Sequence, residues 1–231
     1  MHIAEPAFEA TRIFALRHGQ TAWNAEQRLQ GHVDAPLDGV GRWQAARLAQ
    51  ALADEGLSAI YSSDLQRAHD TALALGTACG LPVVTDRALR ERAFGRLEGL
   101  TYAEIEERHP QDALRWRRRE PGFGPGGGES LIDFSARCLG AVRRLAAAHA
   151  GQAIAVVSHG GVLDCLHRSA AGLALDAPRA YALRNATVNR LLFNGDGFVV
   201  LGWDDDRHLT APPLPAPDAA ASAREGTQEG G

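Results

Sequence analysis

The chain has 231 residues and carries 24 Lys plus Arg against 28 Asp plus Glu, a formal net charge of −4. That length buries a full core unaided, and the mild acidity gives a polyanion such as nucleic acid no global field to follow. Cys79, Cys138 and Cys165 are odd in number, far apart and without a Cys-x-x-Cys pair, which excludes a disulfide framework and a zinc knuckle and points to a reducing compartment.

In chain order, residues 1–11 include Glu5 and Glu9 and lack the apolar centre of a secretory signal. No later stretch is apolar for long enough to cross a bilayer, so the expectation is a soluble, cytoplasmic protein without membrane partners. A first strand is predicted over 13–16, emptying into Arg17-His18-Gly19. Asp38 caps a predicted helix whose inner face is Val40, Trp43, Arg47, Leu48 and Leu52. A second strand over 59–62 leads to a helix capped by Ser63 or Asp64 and running through Leu65, Ala68, Ala72 and Leu75, with Arg67 in its first turn. A third strand covers 83–85.

From 92 to 128 the pattern turns to charged, helix-favouring sequence over 101–119 and then to Pro121-Gly122-Phe123-Gly124-Pro125-Gly126-Gly127-Gly128. This predicts an inserted helical cap with a flexible return. Glu129-Ser130 opens a long helix through Leu131, Phe134, Cys138, Val142 and Leu145. The strand at 154–158 then ends in His159-Gly160-Gly161. Strands over 188–193 and 198–203 are separated only by Asn194-Gly195-Asp196-Gly197, which is hairpin length and makes one of them antiparallel at the sheet edge. From 211 onward Pro, Ala and Gly dominate, as in a disordered tail. The alternation predicts an α/β fold: a three-layer α/β/α sandwich with a mainly parallel sheet, one antiparallel edge strand and a small helical cap, forming a single domain over 11–210.

Two histidines, His18 and His159, leave two strand ends. In an open α/β sheet the ligand crevice lies beyond the carboxyl ends of the strands, so one pocket is expected to hold both. Arg17, Arg67 and a helix N-terminus make that pocket a small positive cup suited to a phosphoryl group, although carboxylates bind such cups too. Imidazole, held neutral and aimed, is a competent nucleophile toward phosphorus. Glu91 is placed to serve as the acid for the leaving oxygen, with Glu98 as its rival. His18, His159 and Glu91 could instead ligate zinc, but the two arginines repel a divalent cation, so no metal is expected. The glycines at 122–128 do not form a phosphate loop, because Glu129 stands where the lysine is needed. Arg115-Trp116-Arg117-Arg118-Arg119 reads equally as a solvated helix face or as a pocket rim. His32, His109, His149, His167 and His208 show no partners in the sequence.

Taken in order, Arg17-His18-Gly19-Gln20-Thr21-Ala22-Trp23-Asn24, Arg28-Leu29-Gln30-Gly31-His32, Ser62-Ser63-Asp64-Leu65-Gln66-Arg67-Ala68, Glu91 with Gly99, Gly128-Glu129-Ser130 and Ser158-His159-Gly160-Gly161 resemble the histidine phosphatase superfamily, the phosphoglycerate mutase-like branch 1. The closest likeness is to its bacterial cofactor-independent, phosphatase-type members. The resemblance implies that His18 becomes phosphohistidine and that Arg17, Arg67 and His159 hold the phosphoryl oxygens, joined by Asn24 and Gly160. It implies that Glu91 is the proton donor and that neither metal nor cofactor takes part. The activity implied is hydrolysis of a small phosphorylated metabolite. Phosphoryl transfer between 2- and 3-phosphoglycerate, or phosphate binding without catalysis, are the alternatives. The short stretch 120–128 and the His159-Gly160-Gly161-Val162 block favour hydrolysis by leaving water access, whereas Trp116-Arg117-Arg118 echoes the mutase cap. Substrate choice is expected to rest on cap residues and on Trp23, and a homodimer is left open.

Overall fold

In a computed structural model, which describes residues 9–210, side-chain alternation along the strands decides the layering. The strands are β1 (Thr11–Arg17), β2 (Ala59–Ser62), β3 (Val83–Thr85), β4 (Ala153–Ser158), β5 (Val188–Phe193) and β6 (Phe198–Asp205). They form one six-stranded sheet in the order β3-β2-β4-β1-β5-β6. The first four pair in parallel, β5 runs antiparallel to β1, and β6 pairs antiparallel with β5. The sheet is thus mainly parallel with an antiparallel edge, and the reversed strand of the hairpin is β5. The tail expected from 211 onward lies outside the described residues.

Ile13 and Ala15 of β1, with Ile154 and Val156 of β4, face α6 (Leu131–Ala147) and α7 (Gly160–Ala171) in one core. Phe14, Leu16, Ala155 and Val157 face the opposite core, against α2 (Gly39–Leu52), which follows the one-turn α1 (Ala22–Ala25), and α3 (Gln66–Cys79). Period-two alternation therefore feeds two helical layers from one sheet. The chain leaves β1 across one layer toward β2 and leaves β4 across the other toward β5. That divergence opens a crevice at the carboxyl ends of these neighbouring strands. Among the described residues no helix is long and apolar enough to cross a membrane.

Caps made by side chains three residues away behave as expected. Asp38 accepts from Gly41 N–H at the start of α2, and Ser130 from Asp133 N–H at the start of α6. The cap of α3 does not. Its flanking residue is Leu65, Asp64 is turned away into a bidentate pair with Arg90, and Ser63 Oγ accepts only from Leu65 N–H. Asp34 instead accepts from Gln66 N–H at 2.7 Å, a cap delivered from another part of the chain. The inner face of α2 also differs from expectation. Gly41, Ala45, Leu48, Ala49 and Leu52 are buried, while Val40, Trp43 and Arg47 are only half-buried. Small residues let this helix approach the sheet closely.

The closest approach is at its first turn. A Cβ on Gly41 would stand 2.0 Å from the Gln20 carbonyl oxygen, and one on Gly19 would stand 2.4 Å from the Gly41 oxygen. Gly41→Ala is expected to lower stability by about 2–3 kcal/mol in urea unfolding, since two backbones must separate. An unchanged midpoint would show that they are not in contact. The same variant should lose activity, because Gly19 follows His18.

Between β3 and α6 the chain leaves the sheet. It forms α4 (Tyr102–Arg108) and α5 (Pro110–Arg117) around a small core of Phe94, Leu97, Ile105 and Ala113, on which Trp116 packs. Thr101 and Glu104 make a reciprocal capping box for α4, and Pro110 starts α5 without needing an N–H partner. The glycine-rich return is held down, contrary to the flexible linker expected. Arg96 N–H donates to Gly126 O, Glu129 N–H to Ala93 O, and Arg92 Nε to Glu129 O. Gly95, at φ +53°, lies so near that a Cβ would stand 2.1 Å from Gly126 O.

Candidate active site

Strand register brings the two histidines together. Arg17 and Ser158 are direct partners across β1 and β4, and His18 N–H donates to Ser158 O at 3.0 Å. The next residues, His18 and His159, therefore emerge side by side, with ring centroids 5.2 Å apart. His18 is 3% exposed and His159 wholly buried. His18 Nδ1 lies 2.7 Å from the Gly19 carbonyl, which can only accept, so Nδ1 carries the proton and Nε2 keeps its lone pair. Burial, reinforced by Arg67 and Arg17, holds the His18 pKa well below its usual value and keeps the ring neutral.

Arg67 is fixed by its helix start and by two carbonyls, Val33 O on Nη1 at 2.9 Å and Gly31 O on Nη2 at 2.8 Å. Arg17 Nη1 donates to Leu183 O. Burial lowers its pKa to about 10, which still leaves it cationic at neutral pH. Beside His18, four nitrogens of the described residues are buried without a partner: Arg17 Nε, Arg67 Nε and both nitrogens of His159. Each such group costs about 1–3 kcal/mol unless something meets it, so their gathering beside His18 defines an anion site. Gly160 opens α7 next to them, a Cβ position there standing 3.6 Å from Arg17 Nε, and the positive end of the helix dipole points the same way.

Asn24 is oriented by its oxygen. Its Oδ1 accepts from Thr21 N–H at 3.1 Å and from Asn185 Nδ2 at 3.3 Å, which leaves its NH₂ group as the part available to the cavity that it lines. Asn185 also donates to His18 O at 2.9 Å, and Thr71 Oγ1 accepts from Gly19 N–H at 3.0 Å. Sequence reading places both residues within the family resemblance, Thr71 one helical turn after Arg67 and Asn185 ahead of the edge strands, but gives neither a part in the site.

The two candidate carboxylates are placed differently. Glu91 Oε2 accepts from Gly161 N–H at 3.0 Å and Oε1 from Arg92 N–H at 2.8 Å, and the residue lines the cavity with His18. His32 Nε2 and Arg137 Nη2 both donate to the Glu91 carbonyl, which fixes the backbone beneath it. Glu98 is absent from the cavity wall; its Oε1 accepts from His32 and Phe94 N–H groups and braces the loop. Among the described residues no group of three or more His, Cys, Asp or Glu side chains is arranged to hold a metal.

The cavity has a volume of about 800 Å³ and extends from His18 to Phe94, Trp116, Phe123 and Tyr181. The arginine run divides. Arg115 and Arg119 line the wall, paired with Glu120 and Asp164, while Arg117 and Arg118 are exposed outside it, Arg117 pairing with Glu106. Trp23, expected to shape substrate choice, is also outside; its ring packs toward Gly99, 3.5 Å from a Cβ position there.

A doubly wound sheet with a neutral imidazole, two guanidinium groups and a carboxylate at its switch point defines an α/β enzyme that handles phosphoryl groups. The chain belongs to the histidine phosphatase superfamily (branch 1), whose family model matches residues 13–206. Phosphoglycerate mutase-like protein 4 of Arabidopsis thaliana is 42% identical over 202 residues, covering 85% of this chain and 86% of that protein. The metal-independent phosphoserine phosphatase of the same plant is 36% identical over 206 residues, covering 88% and 85%. Among solved structures, a mycobacterial glucosyl-3-phosphoglycerate phosphatase superposes with a TM-score of 0.77 at 34% identity, covering 85% of this chain and 99% of that one.

Proposed function

We propose that the protein is a metal-independent phosphomonoesterase that hydrolyses a small phosphorylated metabolite through a phosphohistidine on His18. The observation that carries this reading is the lone pair of His18 Nε2 set among four buried, unpartnered nitrogens of Arg17, Arg67 and His159. In the first step Nε2 attacks phosphorus, the bond from phosphorus to the ester oxygen breaks, and the Glu91 carboxyl gives its proton to that oxygen. In the second, water attacks the phosphohistidine and passes a proton to the Glu91 carboxylate, releasing phosphate and restoring both groups. Arg17, Arg67 and His159 bind the non-bridging oxygens, with the Asn24 NH₂ group and the start of α7 at Gly160 completing the cradle. Their charge does what a metal ion does elsewhere. The region 92–128 caps this site within a single domain over 11–210. A cytoplasmic setting accords with the free thiols of Cys79, Cys138 and Cys165.

Hydrolysis is favoured over mutase chemistry because Arg117 and Arg118, the residues that echo a mutase cap, face away from the cavity. Relatives named for phosphoserine and glucosyl-3-phosphoglycerate point the same way. The deciding measurement is phosphate release from a panel of phosphomonoesters, including 3-phosphoglycerate and 2,3-bisphosphoglycerate. Interconversion of 2- and 3-phosphoglycerate faster than phosphate release would overturn the reading.

Glu91→Gln separates its proton-donor role from mere positioning. Loss of the proton should cut kcat/KM for alkyl phosphates by about 10²–10³-fold. The loss should be much smaller for p-nitrophenyl phosphate, whose leaving group needs no acid. Equal losses on both would remove Glu91 from that role.

A further inference from the structure

The segment between α7 and β5 has no regular secondary structure, yet it forms one wall of the cavity. It is anchored at three successive residues. Tyr181 donates its hydroxyl to Asp164 at 2.7 Å and stacks on His167 at 3.7 Å; Ala182 O accepts from Trp203 Nε1; Leu183 O accepts from Arg17 itself. Just ahead of these anchors stands Arg179, which lines the cavity and is near enough to Arg17 for their charges to interact. The other guanidinium groups on the wall beyond the phosphoryl cup are committed. Arg28 pairs with Glu104, Arg115 with Glu120, Arg119 with Asp164 and Arg184 with Asp204, while Arg92 donates to carbonyls. Arg179 has no hydrogen bond or ion pair among the described residues.

We infer that Arg179 is a specificity-determining residue, binding a carboxylate on the leaving group of the substrate and so selecting acidic phosphomonoesters over neutral ones. This rests on the phosphatase reading above and adds the group that chooses among its substrates. Arg179 is exposed along the cavity wall with its donors unspent among the described residues, whereas its neighbours give theirs to protein oxygens, and its planar fork fits a carboxylate with two parallel bonds. Within the cap expected from sequence to choose the substrate, Arg115, Arg119 and Arg117 of the arginine run already pair with Glu120, Asp164 and Glu106.

The test compares 3-phosphoglycerate with glycerol 3-phosphate, which share a three-carbon phosphate and differ at the carboxylate. The wild type should prefer 3-phosphoglycerate in kcat/KM. Arg179→Gln should reduce that preference about tenfold, the amount one charge-assisted hydrogen bond supplies, and chiefly through KM. Arg179→Lys should recover part of it. A preference that survives Arg179→Gln, a loss that is equal for both substrates, or a wild type indifferent to the carboxylate would overturn the assignment and leave the phosphatase reading standing. Failure of the wild type to hydrolyse even p-nitrophenyl phosphate would remove both.

Discussion

His18→Ala is expected to lower phosphatase turnover by about 10⁴-fold or more, because no other group near the site combines a free lone pair with a neutral ring held in place. The tautomer matters here. With Nδ1 committed to the Gly19 carbonyl, Nε2 is the only nucleophilic nitrogen of that ring, and the depressed pKa keeps it unprotonated through neutral and mildly acid pH. His159 has no such preset lone pair, since neither of its ring nitrogens has a protein partner to fix the tautomer. Wild type quenched during turnover of a labelled phosphomonoester should carry an acid-labile, alkali-stable phosphoryl group, absent from the variant. Thermal unfolding of the variant near that of the wild type would show that chemistry rather than folding was lost. Retained turnover, or a label on another residue, would end the proposal.

The protein should lose stability steeply between pH 6.5 and 5, well before its carboxylates titrate. His18 and His159 have native pKa values held well below the ordinary 6.5, in both cases first by burial and then by the charge of Arg67. The unfolded chain protonates them near 6.5 and the native chain does not. It follows that the unfolded state binds more protons below that pH and that stability falls as pH falls. Each histidine contributes about 1.4 kcal/mol per pH unit once the unfolded form is protonated, so the pair contributes roughly 3 kcal/mol per unit. Burial lowers His208 and His167 in the same direction. Depressed carboxylates such as Asp164 and Glu129 act only below about pH 4 and do not blur the window. Urea unfolding at pH 7.5, 6.5 and 5.5 measures the slope. His159→Gln should reduce it, and a flat profile would mean the two rings are not buried as described.

Much of the fold was legible because its signals are local. Short strand-like runs marked all six strands, and Asp38 and Ser130 announced helices through bonds spanning three residues. The cap of α3 was not legible, since Asp34 supplies it from 32 residues away while the nearer Asp64 serves Arg90. The glycine-rich return at 122–128 reads as slack by composition, but hydrogen bonds to Ala93 and Arg96 hold it.

By itself the sequence determined which residues are candidates for the site: a histidine beside an arginine at one strand end, a histidine at another, an arginine in a helix's first turn, and a carboxylate nearby. Short-range order sufficed, because strand, turn and helix start are set by neighbouring residues. Only the tertiary structure decided which of those groups meet. His18 and His159 are 141 positions apart and converge through the parallel register of β1 on β4. Glu91 rather than Glu98 lines the cavity, because Gly161 N–H holds it there. Which arginines face the substrate depends on where α5 ends and on a wall built between α7 and β5. Such choices follow from packing between distant segments, whose interactions leave no periodic trace in either segment alone.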